Sequence, residues 1–389
     1  MRRTIAVVTT SRADYSHLYW PLKDLAAHPD VDLKLIVMAA HLSPAFGSTL
    51  REIEADGFCI ASRIECLLSS DSDVGMAKTL GLAVLGLSDA LAQMRPDLLL
   101  LIADRYEMLA PASVALTLRI PVAHIEGGEI SEGAIDDAVR NALTKLAQLH
   151  FTSTEAARER VISMGEEPWR VHRAGAPSLD HLRRSSLLTQ EQLQRELGVE
   201  LKQRVTVVAY HPVTMLRNTT ADADAVFAAL ETLPEQILFC YPNADAGSYE
   251  LMARIQSFCE RHAHARLFVN LPSITYWSLL READVLFGNS SSGIMEAASF
   301  GLPVVNVGMR QQGRERGRNI LDAEPNVESI QAQLSLAQQP HFREGLRGME
   351  NIYGDGHAAE RIVEVLTSTP LEGLLHKRAQ PIAPGAWRV

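Results

Sequence analysis

Carboxylates, arginines and small hydroxylated residues gather at a few points along this chain, each directly after a short apolar run. The first such point is Asp104-Arg105-Tyr106-Glu107, which follows the most apolar stretch, 98–103. Packing explains a carboxylate there poorly. A general acid or base is the chemical reading, with Arg105 beside it to hold its charge state; a cap on the following helix is the plain alternative. The second is the loop 124–137, where Glu126, Glu129, Glu132, Asp136 and Asp137 crowd around glycines 127, 128 and 133. Glycines let backbone approach a ligand, and like charges held together push one carboxyl up in pKa, so one acid and one base can coexist near neutrality. The spacing contains neither HExxH nor an EF-hand pattern, so acid–base chemistry is favoured over a metal site.

Anion-binding chemistry is the theme elsewhere. Arg12 and Asp14 follow the first apolar run, where an arginine beside a helix start can clamp a diphosphate; the competing reading is a capping Asp14 and a solvated Arg12. No GxGxxG accompanies them. Ser290, Ser291 and Ser292 open a helix after another buried run, three serines where a cap needs one, and are suited to a diphosphate. Glu296, one turn on, suits ribose hydroxyls. His211 ends a run and could meet phosphate or a reacting sugar. Asn243 could bond a base or ribose, although turn chemistry fits it equally well. Arg310, Arg314, Arg316 and Arg318 form a local basic patch in a chain of formal net charge −10. That balance excludes a general nucleic-acid binder and leaves a small anionic ligand.

These points must be positioned by a scaffold, and the pattern names its type. Apolar runs at 4–9, 32–38, 98–103 and 121–125 alternate with helical stretches at 15–27, 73–94, 105–118 and 133–147. Strands buried on both faces and separated by helices mean a doubly wound α/β domain, whose ligands bind beyond the carboxyl ends of the strands. A polar stretch, 183–202, interrupts the pattern. It then restarts, with strands at 204–210, 236–241, 266–270, 284–288 and 303–307. Two Rossmann-like domains are expected, residues 1–178 and 179–355. Residues 356–389 would form a closing helix and a loose tail. Cys59, Cys66, Cys240 and Cys259 form no CxxC pair, so neither zinc nor a disulfide framework is indicated. No apolar stretch of signal-peptide length follows Met1, and 98–103 is far short of the ~20 residues that span a bilayer. A cytoplasmic location and no membrane partner are the default expectations.

Taken in order, the stretches SRADYS, ADRYE, HIEGGE, IDDAVRNALTKLA, HPVT, PNADAGS, GNSSSGIMEA, GMRQQGRERG and IYGDG resemble the hydrolysing UDP-N-acetylglucosamine 2-epimerases, the first enzymes of sialic acid synthesis. The likeness runs from residue 11 to 356. It implies the GT-B fold, two Rossmann-like lobes with a cleft between them, and a homodimer or homotetramer. It further implies loss of UDP by elimination through 2-acetamidoglucal, then hydration to N-acetylmannosamine, without metal or cofactor. Asp104, Glu126 and Asp136 match the family's catalytic carboxylates. Arg105, His211, Asn243, Ser290, Ser291, Glu296 and Arg310 match its UDP site. Similar enzymes take UDP- or GDP-linked 2,4-diacetamido-2,4,6-trideoxy-glucose, and non-hydrolysing ones keep UDP; both stand as alternatives. Ala103 replaces the family's usual glycine, and His17 stands where relatives vary.

Overall fold

Val, Leu and Ile fill strands that are covered on both faces, and they form two fully parallel sheets. The computed structural model describes residues 2–379, apart from 47, 48, 71, 203, 241–244 and 270. The first sheet contains β1 (Arg3–Thr9), β2 (Val31–Met38), β3 (Ile60–Ile64), β4 (Leu98–Ile102), β5 (Val122–Ile125), β6 (Leu149–Thr152) and β7 (Val171–Arg173). Its order is β3-β2-β1-β4-β5-β6-β7. The second contains β8 (Val205–Ala209), β9 (Gln236–Cys240), β10 (Ala265–Phe268), β11 (Val285–Gly288), β12 (Val304–Val307) and β13 (Ile320–Ala323), in the order β10-β9-β8-β11-β12-β13. This is the expected GT-B architecture. In each sheet the strand order reverses beside the first strand, between β1 and β4 and between β8 and β11. A crevice opens at such a point because the flanking connections leave in opposite directions.

The core of the first lobe is built on Leu98 to Ile102, all fully buried, with Ile5, Val7, Leu35 and Val37 from the neighbouring strands. Helix Ala358–Ser368 joins this core through Ile362, Val363 and Leu366, so the chain's closing helix returns to the first lobe. Asp180 caps it, accepting from the backbone N–H groups of Ala358 and Ala359 at 2.9 Å each. The following segment is not loose as far as Arg378. Leu374 is buried, Arg170 donates to the carbonyls of Leu374 and His376, and Lys377 donates to those of Lys145 and Ala147. A buried cation that gives two of its N–H groups to carbonyls of the tail holds the tail in place.

Two other expectations change. The polar stretch 183–202 contains helix Gln190–Leu197, whose Leu193 and Leu197 pack under the second sheet. And 98–103 is not the segment to weigh against a bilayer: helix Asp73–Met94, of mean hydropathy 1.4 over its most apolar window, is long and apolar enough to cross a membrane by length and composition. Its Ala83, Leu87 and Leu91 are buried in the first lobe's core, while Val74, Leu82 and Leu85 face outward.

Ala103, directly after β4, has φ +59°. An L-residue is crowded there and glycine is not, which accounts for the glycine the resemblance leads one to expect. His124 steadies the turn by donating Nε2–H to the Ala103 carbonyl at 2.7 Å. Ala103→Gly should therefore raise stability by up to about 1 kcal/mol, and Ala103→Val should lower it by about 2 kcal/mol. Denaturant midpoints check both, and a destabilised glycine variant would show that the turn is unstrained.

Candidate active site

Both reversal points open into one cleft between the lobes, with about 1330 Å³ of empty space including its solvent-open mouth. Every candidate site residue lines it except Asn243, which lies outside the described residues. The lobes meet around its rim: Arg12 donates to the Leu271 carbonyl, Glu132 N–H to the Gln312 carbonyl at 3.1 Å, and Ile135 N–H to Thr214 Oγ1 at 3.1 Å. Gly133 permits this approach, since a Cβ there would come within 2.2 Å of the Met309 carbonyl oxygen.

On the first lobe, Asp104 accepts a hydrogen bond from Arg140 and lies 3.7 Å from Arg314 of the second lobe. Arg140 is buried and also donates to Ser131 Oγ and the Glu129 carbonyl. Asp136 begins helix Asp136–Leu146 and sits 3.7 Å from Arg310. Burial pushes its carboxyl up to about 6, against the pull of Arg310. Glu126, at the end of β5, has φ +65° and accepts from His17 Nδ1 at 2.7 Å. Backbone strain at both Ala103 and Glu126, each beside a cleft carboxylate, is the kind that persists where a site is over-determined by its surroundings.

On the second lobe, Asn289 fixes the loop after β8: its Oδ1 accepts from His211 N–H at 2.7 Å and its Nδ2 donates to the His211 carbonyl at 2.9 Å. Burial, with Arg310 and Arg105 nearby, holds the His211 imidazole neutral. Ser290 caps helix Ser291–Met295, and Ser292 Oγ pairs with Tyr276 Oη at 2.8 Å. Arg310 donates to the Asn289 carbonyl at 3.1 Å, while its buried Nε finds no partner among the described residues. Glu296 accepts from Ser178 Oγ at 2.7 Å. Among the described residues no three His, Cys, Asp or Glu side chains converge as a metal site.

Two candidates are committed within the protein. Asp14 accepts from the N–H groups of Thr10 and Ser11 at 2.7 Å each and from both hydroxyls, so it organises the loop before helix Arg12–Ala27 and caps it, as its plain reading had it. Arg105 is paired twice with Glu107 and lies 3.4 Å from Asp245 of the second lobe. Burial opposes its charge, but those two carboxylates hold its pKa above the ordinary value, and its guanidinium ties the lobes together. Sequence reasoning missed His17 and Tyr276, and saw Arg314 only as part of a basic run. His17 carried a faint signal: it lies three residues beyond Asp14 on an amphipathic helix, on a face that the apolar residues leave.

Glu129 is buried beside this site, with its Oε1 unpartnered among the described residues. Burial pushes it up to about 7, Arg314 pulling down and Glu126 and Glu315 pushing up. A carboxyl raised in the folded state supports folding fully at low pH, and that contribution is lost as pH rises through about 7. Wild type should lose about 3 kcal/mol between pH 5 and 8.5 that Glu129→Gln does not lose. Denaturation at the two pH values checks this, and parallel losses would contradict it.

The family model described as UDP-N-acetylglucosamine 2-epimerase matches residues 23–367. Two relatives span nearly the whole chain. The GDP/UDP-N,N'-diacetylbacillosamine 2-epimerase (hydrolyzing) of Campylobacter jejuni is 35% identical over 97% of this chain and 98% of its own. The UDP-N,N'-diacetylbacillosamine 2-epimerase (hydrolyzing) of Legionella pneumophila is 37% identical over 95% and 97%. Among solved structures, the UDP-GlcNAc 2-epimerase of Neisseria meningitidis bound to UDP-GlcNAc aligns with a TM-score of 0.79 at 18% identity, over 94% of this chain and all of that one. At that identity the likeness is one of fold.

Proposed function

The chain belongs to the UDP-N-acetylglucosamine 2-epimerase family, and from that premise we propose that it is a hydrolysing 2-epimerase whose substrate is UDP-N,N'-diacetylbacillosamine, the 2,4-diacetamido-2,4,6-trideoxy-glucose nucleotide. One observation carries the choice of sugar: two full-length relatives at 35% and 37% identity are both named for that sugar and for hydrolysis. The alternative raised by the sequence thus displaces UDP-N-acetylglucosamine as the first substrate to try. UDP-N-acetylglucosamine remains the second reading, favoured by the description of the family model itself.

The cleft's chemistry supports the reaction. Asp104, which accepts a hydrogen bond from Arg140 and lies 3.7 Å from Arg314, takes the proton from C2. The C1–O bond breaks, its electron pair leaves on UDP, and the C1–C2 double bond of the glycal forms. Arg310, Arg12 and the serines at 290–292 meet the negative charge that develops on the diphosphate. Water then adds through oxygen at C1, and a proton returns to C2 from the opposite face. Asp136, whose carboxyl burial pushes up to about 6, and Glu126 are the groups available for that second step. The net change is one water consumed and UDP released with the C2 epimer.

The test is proton NMR in D2O on the full chain with each sugar nucleotide. Free UDP and a manno-configured diacetamido sugar deuterated at C2 are expected, with slower turnover of UDP-N-acetylglucosamine. Preference for UDP-N-acetylglucosamine would overturn the choice of sugar. A C2-epimerised sugar still attached to UDP would overturn hydrolysis.

A further inference from the structure

His17 sits at the centre of this cleft, on helix Arg12–Ala27, and the scheme above gives it no role. Its ring lies between two buried carboxylates. Nδ1 is 2.7 Å from Glu126 Oε1, and Nε2 is 3.3 Å from Glu296 Oε1. Ionised carboxylates only accept hydrogen bonds, so engaging both ring nitrogens at once takes an N–H on each, which is the imidazolium. Burial alone would depress the His17 pKa, but Glu126 and Glu296 hold it well above the ordinary value. The neighbouring His181 is not the cation: burial pushes it down to about 4, and its Nε2–H is given to the Ser16 carbonyl at 2.9 Å.

The two carboxylates have different origins. Glu126 directly follows β5 of the first lobe, on a backbone at φ +65° that leaves it little freedom to turn. Glu296 belongs to the second lobe, one turn beyond Ser290, Ser291 and Ser292, and is also held by Ser178. One cation therefore joins a carboxylate of the catalytic lobe to a carboxylate of the nucleotide lobe. The surroundings of Glu296 suit the ribose hydroxyls of a nucleotide, which compete for the same oxygens.

We infer that His17 is a positioning residue that couples nucleotide occupancy to Glu126: ribose hydroxyls arriving at Glu296 displace His17 Nε2, and the imidazolium is then held by Glu126 alone. This rests on the reading of the cleft as a UDP-sugar site. In the empty cleft the cation is divided between the lobes. In the occupied cleft it fixes Glu126, one of the carboxylates that line the cleft with Asp104 and Asp136, so the site is set for reaction only when the nucleotide is seated.

The most direct test is NMR of the wild-type chain carrying 15N-histidine, with and without UDP. Two protonated His17 ring nitrogens are expected in the free protein, and UDP should shift Nε2–H while leaving Nδ1–H in place. Kinetics supply the second arm. His17→Gln removes the charge and should lower kcat about 100-fold, a loss typical of misplacement at a reacting centre. It should leave the Kd for UDP unchanged or slightly tighter, since His17 no longer competes for Glu296. His17→Lys, which keeps a cation between the carboxylates, should recover about tenfold of that loss in kcat. A merely structural histidine would instead lose kcat and UDP affinity together. A protein that binds UDP with Nε2–H unmoved overturns this inference alone, as does a His17→Gln variant with kcat within threefold of wild type. A wild-type protein that binds no UDP defeats the functional reading and this inference with it.

Discussion

Asp104→Asn is expected to lower kcat about 10³-fold while leaving the Kd for UDP within about threefold, the signature of a lost proton acceptor rather than a lost binding group. Asp104 follows the fully buried β4, so its backbone is fixed by the sheet, and Arg140 and Arg314 both address its carboxylate. Two guanidiniums beside one carboxylate aim it. An amide of nearly the same shape cannot take a proton, whereas its oxygen can still accept from Arg140. Arg140 also keeps its bonds to Ser131 and Glu129, so the buried guanidinium is not orphaned and the fold should survive. Of the groups proposed to hold UDP, Arg310, the serines at 290–292 and Glu296 stand on the other lobe and Arg12 on helix Arg12–Ala27, while the side chains paired with Asp104 are Arg140 and Arg314. Single-turnover kinetics with UDP titration separate the two effects. Loss of UDP binding in step with kcat would make Asp104 a structural anchor of the cleft, and kcat within tenfold of wild type would remove it from the mechanism.

Much of this arrangement was legible because strands buried on both faces leave a plain mark. Runs such as 98–103 have no polar residue to spare, and a charged residue directly after one is conspicuous. The rule that ligands gather beyond the carboxyl ends of the strands then drew Arg12, Asp104, Glu126, His211 and Ser290 toward one place. The strands that went unread are short or sit at the edges. β3 alternates polar and apolar residues, β7 is three residues long, and β6 and β13 are four-residue strands that carry polar residues. Asp14 and Arg105 show the opposite limit. Each had a chemical and a plain reading, and only the positions of partners distant in sequence, such as Asp245 for Arg105, distinguish them. His17 carried only the faint signal of its helix face. Nothing in its neighbours reveals that Glu126 and Glu296 close on it from both lobes, because that meeting is made by the fold.

Removing the Arg310 guanidinium tests the same cleft from the leaving-group side, and Arg310→Met is expected to lower kcat/KM by about 10²–10³-fold, as for loss of one preorganised donor to a developing charge. Arg310 follows β12, is buried, and spends one N–H on the Asn289 carbonyl. Its Nε is left without a partner among the described residues, which in a buried cation means unspent donor capacity at the cleft wall. Methionine fills similar space without charge, so packing against the loop is kept. A second consequence follows from Asp136, 3.7 Å away. Burial raises that carboxyl to about 6, and Arg310 is the largest influence pulling it back. With the arginine gone the pKa must climb further, because the ionised form loses its nearest stabilising charge. Whichever limb of the pH–rate profile belongs to Asp136 should therefore move to higher pH: an acid would stay protonated longer, and a base would need more alkaline solution to work. The two outcomes differ in sign at pH 7, residual rate being spared in the first case and depressed in the second, so one profile of the variant assigns the role of Asp136. A limb that stays where wild type has it would mean that Asp136 does not titrate in the rate-determining step.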